Sequence, residues 1–549
     1  MRWWGWGVDG HDAPLPRAAA TLLRDELGVS GARAGPVALD RVELPAPALE
    51  DSVRAQLATA AGGAEYVRDD HLTRVSHAAG RSYPDLLRLR RADGLSAADA
   101  VVYPADHDQV AAVLAVCGRH AIAVVPFGGG TSVVGGVDPV RGPYAAAISL
   151  DLARLDGLHA LDAKSQLATF GAGTLGPQVE RLLEPHGLTL GHFPQSFEFS
   201  TVGGWAATRS AGQASTGYGR IDELVVALRA ATPTGELTTL PVPASAAGPD
   251  LRELLLGSEG VLGVITEVSL RVRPRPRQQR YDSYALPGFA AGTEALRELE
   301  QAGASPDVAR LSDEEETRIS LALASHPAAT RLLRAYMNAR VRHGRPGRGP
   351  PSRPTGCMTI LGFDGDPADV ALRRVRARRI LRRHGAVALG PAPGAAWAKG
   401  RFHGAYLRDE LLSRGVLVDT LETAATWSAL TDTHAQIRRA LHDALARRGT
   451  PPVVMCHVSH LYPTGASLYF TFLARRQAGT ELEQWRAAKQ AASDAIAAAG
   501  ATITHHHAIG RDHAPWLTAE VGELGIAALQ AVKAHVDPVG IMNPGKLIP

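Results

Sequence analysis

The glycine-rich run at residues 126–132, Pro-Phe-Gly-Gly-Gly-Thr-Ser, constrains the fold more than any other segment of this chain. It follows a short apolar stretch, Ile122 to Val125, with the composition of a buried strand. Because glycine reaches positive φ and carries no Cβ, the backbone N–H groups of such a loop can approach an anion closely. The run has neither the Gly-Lys-Ser/Thr ending of a P-loop nor the G-x-G-x-x-G spacing of a dinucleotide fingerprint. It predicts a phosphate or pyrophosphate site of another kind, with a tight surface turn as the alternative.

Two later segments have the same small-residue character. Residues 195–212 place hydroxyl side chains before a glycine pair, and residues 257–266 run into the alternating strand Val268 to Val272. Together the three loops resemble the FAD-binding domain of the vanillyl-alcohol oxidase / para-cresol methylhydroxylase flavoprotein family. The resemblance implies FAD contacts from Pro126, Phe127, Gly128, Gly129, Gly130, Thr131, Ser132, Gln195, Ser196, Phe197, Glu198, Phe199, Ser200, Thr201, Thr208, Arg209, Ser210, Ala211, Glu259, Gly260, Val261, Leu262, Gly263, Val264 and Ile265.

The attachment of FAD and the absence of a metal are also predicted by comparison with this family. Many relatives link the flavin covalently to a histidine in the first loop, and no histidine lies between Pro126 and Gly136, so we expect non-covalent FAD. The 2-hydroxyacid dehydrogenases of the family carry a metal-binding His-x-Gly-Asp-Gly-Asn-x-His stretch, which residues 456–470 lack. His457 and His460 would need to share a helical turn to bind a metal, and their β-rich surroundings argue against it. We therefore expect no metal.

Length and composition limit the remaining classes. A chain of 549 residues holds about three to four domain-sized units. The net charge of +3 gives no argument for nucleic acid, and the three scattered cysteines fit neither a disulfide framework nor a zinc site. We find no apolar window long enough for a membrane span and expect a cytoplasmic protein. The predicted fold class is α+β, with an N-terminal helical segment (1–95), a two-subdomain FAD-binding domain (96–276), an α+β cap or substrate domain (277–498) and a helical C-terminal segment (499–549).

Several elements can be predicted individually. Apolar stretches predict strands at residues 101–103, 124–127, 146–150, 168–171, 358–363 and 469–472, and the apolar spacing between Asp106 and His120 predicts a helix. Residues 342–356, rich in Gly, Pro and Arg, predict a mobile loop. A helix with seven arginines between Arg373 and Arg383 predicts a solvated face, and contact with an anionic membrane is the alternative. The tryptophans of residues 3–6 are a second candidate for membrane contact.

The closest resemblance concerns the cap and the C-terminal region. The strand Leu-Tyr-Phe-Thr-Phe at 468–472, followed by Thr-His-His-His-Ala-Ile-Gly-Arg at 504–511, resembles the alkyldihydroxyacetonephosphate synthase family. Stretches at 4–7, 191–205, 310–313, 405–409, 422–427 and 516–517 agree with it. The resemblance implies exchange of the acyl group of acyl-dihydroxyacetone phosphate for a long-chain alcohol, without net redox. It also implies a homodimer, and we expect a bacterial relative. An FAD-dependent oxidase or dehydrogenase of a hydroxy acid or alcohol is the second reading.

The same resemblance implies the site residues. Arg408 matches the phosphate-binding arginine, with a surface ion pair to Asp409 or Glu410 as the alternative. Tyr469 matches the active-site tyrosine, with a core tyrosine as the alternative. Arg310 matches an arginine that orders the active site or contacts substrate. Gln195 departs from the family, which usually has Asp there.

The run His505, His506 and His507 matches the family's histidines, which can accept a proton from the substrate. We expect the run to lie in a strand, where side chains alternate between faces. Either His506 alone, or His505 with His507, then faces the flavin, and the resemblance favours His506. A metal-binding triple histidine is the alternative.

Overall fold

The computed structural model describes residues 1–10, 14–30, 33–323 and 356–548. The N-terminal segment carries the helices Arg17–Leu27, Asp51–Ala60, His71–Ser76 and Tyr83–Arg91. The last begins at a capping box in which Ser82 and Asp85 satisfy each other's backbone N–H groups. Residues 342–355 of the predicted loop lie outside the described residues.

The first sheet has four strands in the order β1-β2-β4-β3: β1 (Val67–Arg68), β2 (Ala100–Val102), β3 (Ile122–Phe127) and β4 (Ala146–Asp151). β4 pairs in parallel with β2 and β3, and the three strands are buried on both faces. Their sequences are therefore largely apolar runs. Helix His107–His120 connects β2 to β3 and begins at Asp106, whose carboxylate caps it. β1 comes from the segment that the sequence predicted to be helical and irregular, so that description was incomplete.

The second sheet is antiparallel, in the order β5-β6-β10-β8-β9. Its strands are β5 (Leu158–Asp162), β6 (Leu167–Gly171), β8 (Val225–Thr232), β9 (Gly235–Thr238) and β10 (Val264–Arg271). A separate pair joins β7 (Leu188–Thr189) to β11 (Arg273–Pro274). Short helices fill the connections at Gly176–Leu183, Val202–Ala207, Ser215–Tyr218, Ile221–Leu224 and Arg252–Leu255.

The cap is a seven-stranded antiparallel sheet in the order β15-β12-β14-β13-β17-β18-β16. Helices Phe289–Gln301 and Leu430–Ala446 pack on β17. The strands are β12 (Gln278–Leu286), β13 (Val308–Ser312), β14 (Cys357–Gly365), β15 (Val387–Gly390), β16 (Val416–Thr426), β17 (Val453–Tyr462) and β18 (Gly465–Arg475). The other cap helices are Glu314–Leu323, Pro367–Arg383, Ala392–Gly400, Gly404–Ser413 and Glu481–Ala498.

The C-terminal segment returns to the first sheet. After helix Ala514–Val536, which has a kink at Gly522, the Asn543 N–H donates to the Val124 carbonyl and Lys546 Nζ donates to the Asp138 carbonyl. Residues close in space here are therefore about four hundred apart in sequence.

The predicted α+β fold class and the predicted strands and helix are confirmed, with end positions that differ by a few residues. Among the described helices, none combines the length and the apolar character that a membrane crossing needs. Trp6 is 5% exposed, and Trp4 is half-buried beneath the guanidinium groups of Arg2 and Arg90. The expectation that the tryptophans of residues 3–6 are exposed for membrane contact is therefore wrong for Trp6, because this stretch packs against the core.

Candidate functional site

The predicted cofactor loops meet in one cleft where the first two sheets come together. The cleft is partly open to solvent, and the non-atom space in it, including that open part, amounts to about 640 Å³. The lining residues are Pro126, Phe127, Gly128, Ser132, Gly136, Val137, Leu152, Thr201, Gly203, Gly204, Ala207, Thr208, Glu259, Gly260, Gly263, Val264 and Ile265.

The glycines of the first loop are required by close packing on the second loop. A Cβ at Gly129 would lie 1.7 Å from the Phe199 carbonyl oxygen, and one at Gly128 would lie 2.4 Å from Thr201 Oγ1. Gly130 has φ of +64°, which L-residues rarely adopt. The two loops are therefore locked together by backbone contact at this end of β3.

The first loop also leaves donors free. Among the described residues, no acceptor pairs with the amide N–H groups of Gly129, Gly130 and Thr131. Unpaired amides in a Gly-rich turn form an anion-binding concavity, and an apolar wall that includes Leu152, Val264 and Ile265 lies nearby. A pyrophosphate with an attached aromatic ring system, as in FAD, fits such a cleft.

Some of the predicted cofactor residues line the cleft, and others do not. Phe199 supports the first loop from behind, and Arg209 forms ion pairs with Asp222 and Glu253. Gly136, Val137, Leu152, Gly203, Gly204 and Ala207 line the cleft although the sequence analysis did not include them. The predicted residues outside the lining are Gly129, Gly130, Thr131, Gln195, Ser196, Phe197, Glu198, Phe199, Ser200, Arg209, Ser210, Ala211, Val261 and Leu262. For residues inside and outside the lining alike, contact with FAD stays a prediction.

A polar row crosses the apolar cap sheet. Tyr469 on β18 pairs in register with Glu422 on β16 and with His457 on β17. Since strand side chains alternate, the neighbours Leu468 and Phe470 point to the opposite face, where they are fully buried. The alternation thus separates a core face from a polar face that carries the site.

The histidine run lies against this row, but not as a strand. Residues 504–507 form an irregular segment between helices Glu481–Ala498 and Ala514–Val536, so the predicted strand is wrong. Its shape is set by the Glu422 carboxylate, which accepts the backbone N–H groups of His505, His506 (3.1 Å) and His507 (2.8 Å) and the Thr504 hydroxyl (2.7 Å). The imidazoles of His506 and His507 consequently lie beside the same carboxylate, with Nδ1 at 3.6 and 3.5 Å.

The charge state of this cluster follows from burial and from those donors. Burial lowers the pKa of His506 and lowers that of His507 to about 3, so both rings are neutral near pH 7. Burial by itself raises the pKa of Glu422, but the hydrogen bonds that its carboxylate accepts from the histidine segment and the Thr504 hydroxyl stabilise the charged form, and that pKa lies well below its usual range. An ionised carboxylate therefore lies 3.6 Å from His506 Nδ1.

Tyr469 lies between two histidines. Its ring is 4.9 Å from His457 and 6.0 Å from His506, nearly parallel to both. Burial raises the pKa of its phenol, so the hydroxyl stays protonated and can donate. His457 is held by Glu316 at 3.2 Å and by Arg310 at 3.1 Å. Arg310 thus orders the polar row through His457.

Arg408 is buried, 8% exposed, and forms an ion pair with Asp419 at 2.6 Å. The alternative surface pair with Asp409 or Glu410 is therefore wrong. Trp485 Nε1 donates to the second Asp419 oxygen, which fixes the carboxylate. Arg408 Nε is buried with no hydrogen-bond partner. A buried guanidinium with an unpaired donor suits an additional anionic ligand.

Glu259 connects the cofactor cleft to the histidine segment. It lines the cleft, and its carboxylate accepts the N–H groups of Ile509 and Gly510, both at 2.8 Å. Burial raises its pKa to about 7, although these N–H groups act in the opposite direction. Glu422 and Glu259 thus hold the two ends of the segment. Glu259 is among the predicted cofactor residues, whereas sequence reasoning missed Glu422 as a site residue, because an isolated glutamate carries no motif.

Comparison with known proteins decides the family. Residues 98–241 match the family described as FAD binding domain, and residues 275–547 match that described as FAD linked oxidases, C-terminal domain. The alkyldihydroxyacetonephosphate synthase of Dictyostelium discoideum is 33% identical over 485 residues, which cover 88% of this chain and 79% of that protein. The chain belongs to the alkyldihydroxyacetonephosphate synthase family. FAD is accordingly its cofactor, as the cleft indicates.

Solved structures agree with this family assignment. An alkyldihydroxyacetonephosphate synthase superposes with a TM-score of 0.84 at 28% identity, covering 100% of this chain and 99% of the other. A p-cresol methylhydroxylase with bound substrate superposes with a TM-score of 0.64 at 15% identity over 90% of this chain and 96% of that one, and so shares the fold. The predicted membership in the wider flavoprotein fold is confirmed.

Proposed function

We propose that this member of the synthase family exchanges the acyl group of acyl-dihydroxyacetone phosphate for a long-chain alcohol. The products are the ether-linked alkyl-dihydroxyacetone phosphate and the free fatty acid, so no electrons are gained or lost overall. The proposal rests chiefly on one observation: Arg408 is buried with an unpaired guanidinium nitrogen, and Tyr469 lies beside the histidine segment. A phosphate anchor and a proton-transfer group are the two protein parts that this exchange requires.

Arg408 binds the substrate phosphate. Asp419 and Trp485 fix the orientation of the guanidinium, which leaves Nε for a phosphate oxygen. A charge-assisted hydrogen bond in a buried site holds a phosphate firmly and in one orientation. The anchored phosphate sets the position of the substrate carbon from which the acyl group leaves.

His506 and Tyr469 move the proton at that carbon. Reduced FAD, when bound, supplies the nucleophile for the substrate carbon, which makes an external electron acceptor unnecessary. Neutral His506 accepts a proton from the substrate, and the ionised Glu422 carboxylate stabilises the resulting imidazolium. The Tyr469 hydroxyl donates a hydrogen bond to the departing or entering oxygen. His505, His507 and Arg310 hold these groups in place.

We further propose that FAD is bound without a covalent link, since the described residues that line the cleft include no histidine, cysteine or tyrosine. Contact with an anionic membrane through helix Pro367–Arg383 is a proposal supported by its exposed Leu372 and Val375 among arginines. The homodimer, the cytoplasmic location and the predicted domain limits stay predictions.

The test is an anaerobic turnover experiment. The purified FAD-loaded protein, with its flavin reduced beforehand in one sample and left oxidised in a second, is mixed with palmitoyl-dihydroxyacetone phosphate and labelled hexadecanol, with no electron acceptor. We expect labelled ether lipid and released palmitate over many turnovers, and loss of both in a Tyr469→Phe variant that keeps its flavin. Absence of product, together with flavin bleaching by a hydroxy acid and recovery with oxygen, would instead establish the oxidase or dehydrogenase reading.

A further inference from the structure

Three imidazoles from two parts of the chain converge beside the polar row. His460 lies on β17, while His505 and His506 lie in the irregular segment that follows helix Glu481–Ala498. One ring nitrogen from each lies within 4.8 Å of the other two. His505 Nδ1 and His506 Nδ1 are 2.9 Å apart and face each other, and the His460 ring is 4.9 Å from that of His505. We propose that these three histidines bind Zn²⁺, and that zinc bound there inhibits the enzyme.

In His460 and His505, the ring nitrogen that faces away from the cluster already has a partner. Ser215 Oγ hydrogen-bonds His460 Nδ1, and the Tyr462 hydroxyl lies 2.6 Å from His505 Nε2. Both oxygens can accept an N–H from the ring, which leaves His460 Nε2 and His505 Nδ1 with free lone pairs inside the cluster. Metal-binding histidines are oriented in this way, by an outer hydrogen bond that fixes the tautomer.

Ring spacing and charge suit a divalent cation. Zinc binds imidazole nitrogen at about 2.0–2.1 Å, so ligand atoms of one site lie roughly 3–3.5 Å apart. The three ligand nitrogens here lie within 4.8 Å of one another, and two of them are 2.9 Å apart. Three histidines leave the fourth position of zinc to water. The Glu422 side chain lies 3.6 Å from His506 Nδ1 and 3.5 Å from His507 Nδ1, where a carboxylate offsets the added charge. The positive charge of the Arg220 guanidinium would oppose metal binding, but Asp222, 3.0 Å from Arg220 Nε, neutralises it.

Inhibition follows because zinc takes the lone pair on His506 that the reaction uses. This part rests on the proposed function, whereas zinc binding itself does not. His460 is the ligand with no proposed part in proton transfer. Substituting it therefore tests metal binding without removing a proton-transfer group.

Direct binding is tested on the FAD-loaded protein after treatment with EDTA. Titration with Zn²⁺ by calorimetry, and with Co²⁺ by its visible absorption bands, should show one metal per chain in tetrahedral coordination. In the turnover assay, zinc should inhibit the enzyme and EDTA should restore the activity. Failure of turnover with intact zinc binding would contradict the proposed function alone.

Two variants with a control locate the site. His460→Gln should lower zinc affinity by more than tenfold, and Ser215→Ala by about tenfold, because the outer hydrogen bond orients the ligand. Both should retain flavin, and Ser215→Ala remains informative if His460→Gln folds poorly. His434→Gln is the control, since His434 stacks on Phe289 and Phe470 within the cap core. No saturable zinc binding, or equal binding by wild type and both variants, would overturn the proposal.

Discussion

Replacing Glu422 by glutamine removes one charge from the centre of the site and changes little else in shape. The carboxylate is 3.6 Å from His506 Nδ1. At an effective dielectric constant of about 20, a full charge pair at that separation is worth about 4.5 kcal/mol. If the imidazolium is half formed in the transition state, the substitution costs about 2 kcal/mol there, which lowers kcat roughly 30-fold.

The same substitution has a pH signature. Removing the negative charge makes the His506 imidazolium less stable, so the pKa of His506, already lowered by burial, falls further. The histidine acts as a base in its neutral form. The acid limb of the kcat profile should therefore move to lower pH while the plateau falls. A purely structural lesion would lower the plateau without moving the limb.

The assay is kcat against pH in the anaerobic exchange, with flavin content and Tm measured on the same sample. Glutamine cannot accept from all four donors, so one buried N–H loses its acceptor at a cost of about 1–3 kcal/mol in stability. Glu481→Gln is the control, because Glu481 is also buried, 4% exposed against 1% for Glu422, but binds Arg91. It should lose stability and keep kcat. A Glu422→Gln protein that is folded and flavin-loaded, with kcat within twofold of wild type, would refute the electrostatic argument.

Three further substitutions test other parts of the site. Tyr469→Phe should reduce turnover by at least a hundredfold with an unchanged flavin spectrum, and near-normal turnover would exclude the phenol from the reaction. Arg408→Ala should raise KM for the phosphate substrate by about tenfold or more, since one charge-assisted hydrogen bond is worth about 1.5–3 kcal/mol, and an unchanged KM would place the phosphate elsewhere. Gly129→Ala should abolish FAD binding, measured by absorbance after gel filtration, because its Cβ would overlap the Phe199 carbonyl. Gly118→Ala, in open space on a helix, should retain FAD and stabilise the protein by up to about 1 kcal/mol.

The features that could be predicted from the sequence are those set by neighbouring residues, and the others depend on residues distant in the chain. The apolar run before the 126–132 loop and the spacing in helix His107–His120 are local signals, and the structure follows them. The conformation of the histidine run depends on Glu422, which is 84 residues from His506. A pattern of three histidines does not reveal that their N–H groups share one carboxylate instead of a strand partner. β1, at two residues, is likewise too short for its own pattern to predict it.

The position of Glu259 has a consequence for the order in which this protein can mature. Its carboxylate accepts the N–H groups of Ile509 and Gly510, and its backbone carbonyl accepts a hydrogen bond from Asn543 Nδ2 at 2.6 Å. The ribosome synthesises the cofactor loops well before these partners, because Ile509 and Asn543 follow Glu259 by 250 and 284 residues. The nascent chain can fold its first two sheets early, but the cleft and the histidines stay unjoined until the final stretch emerges. Catalytic competence is thus a late event in biosynthesis, because the histidine segment joins the cleft only after its residues have emerged.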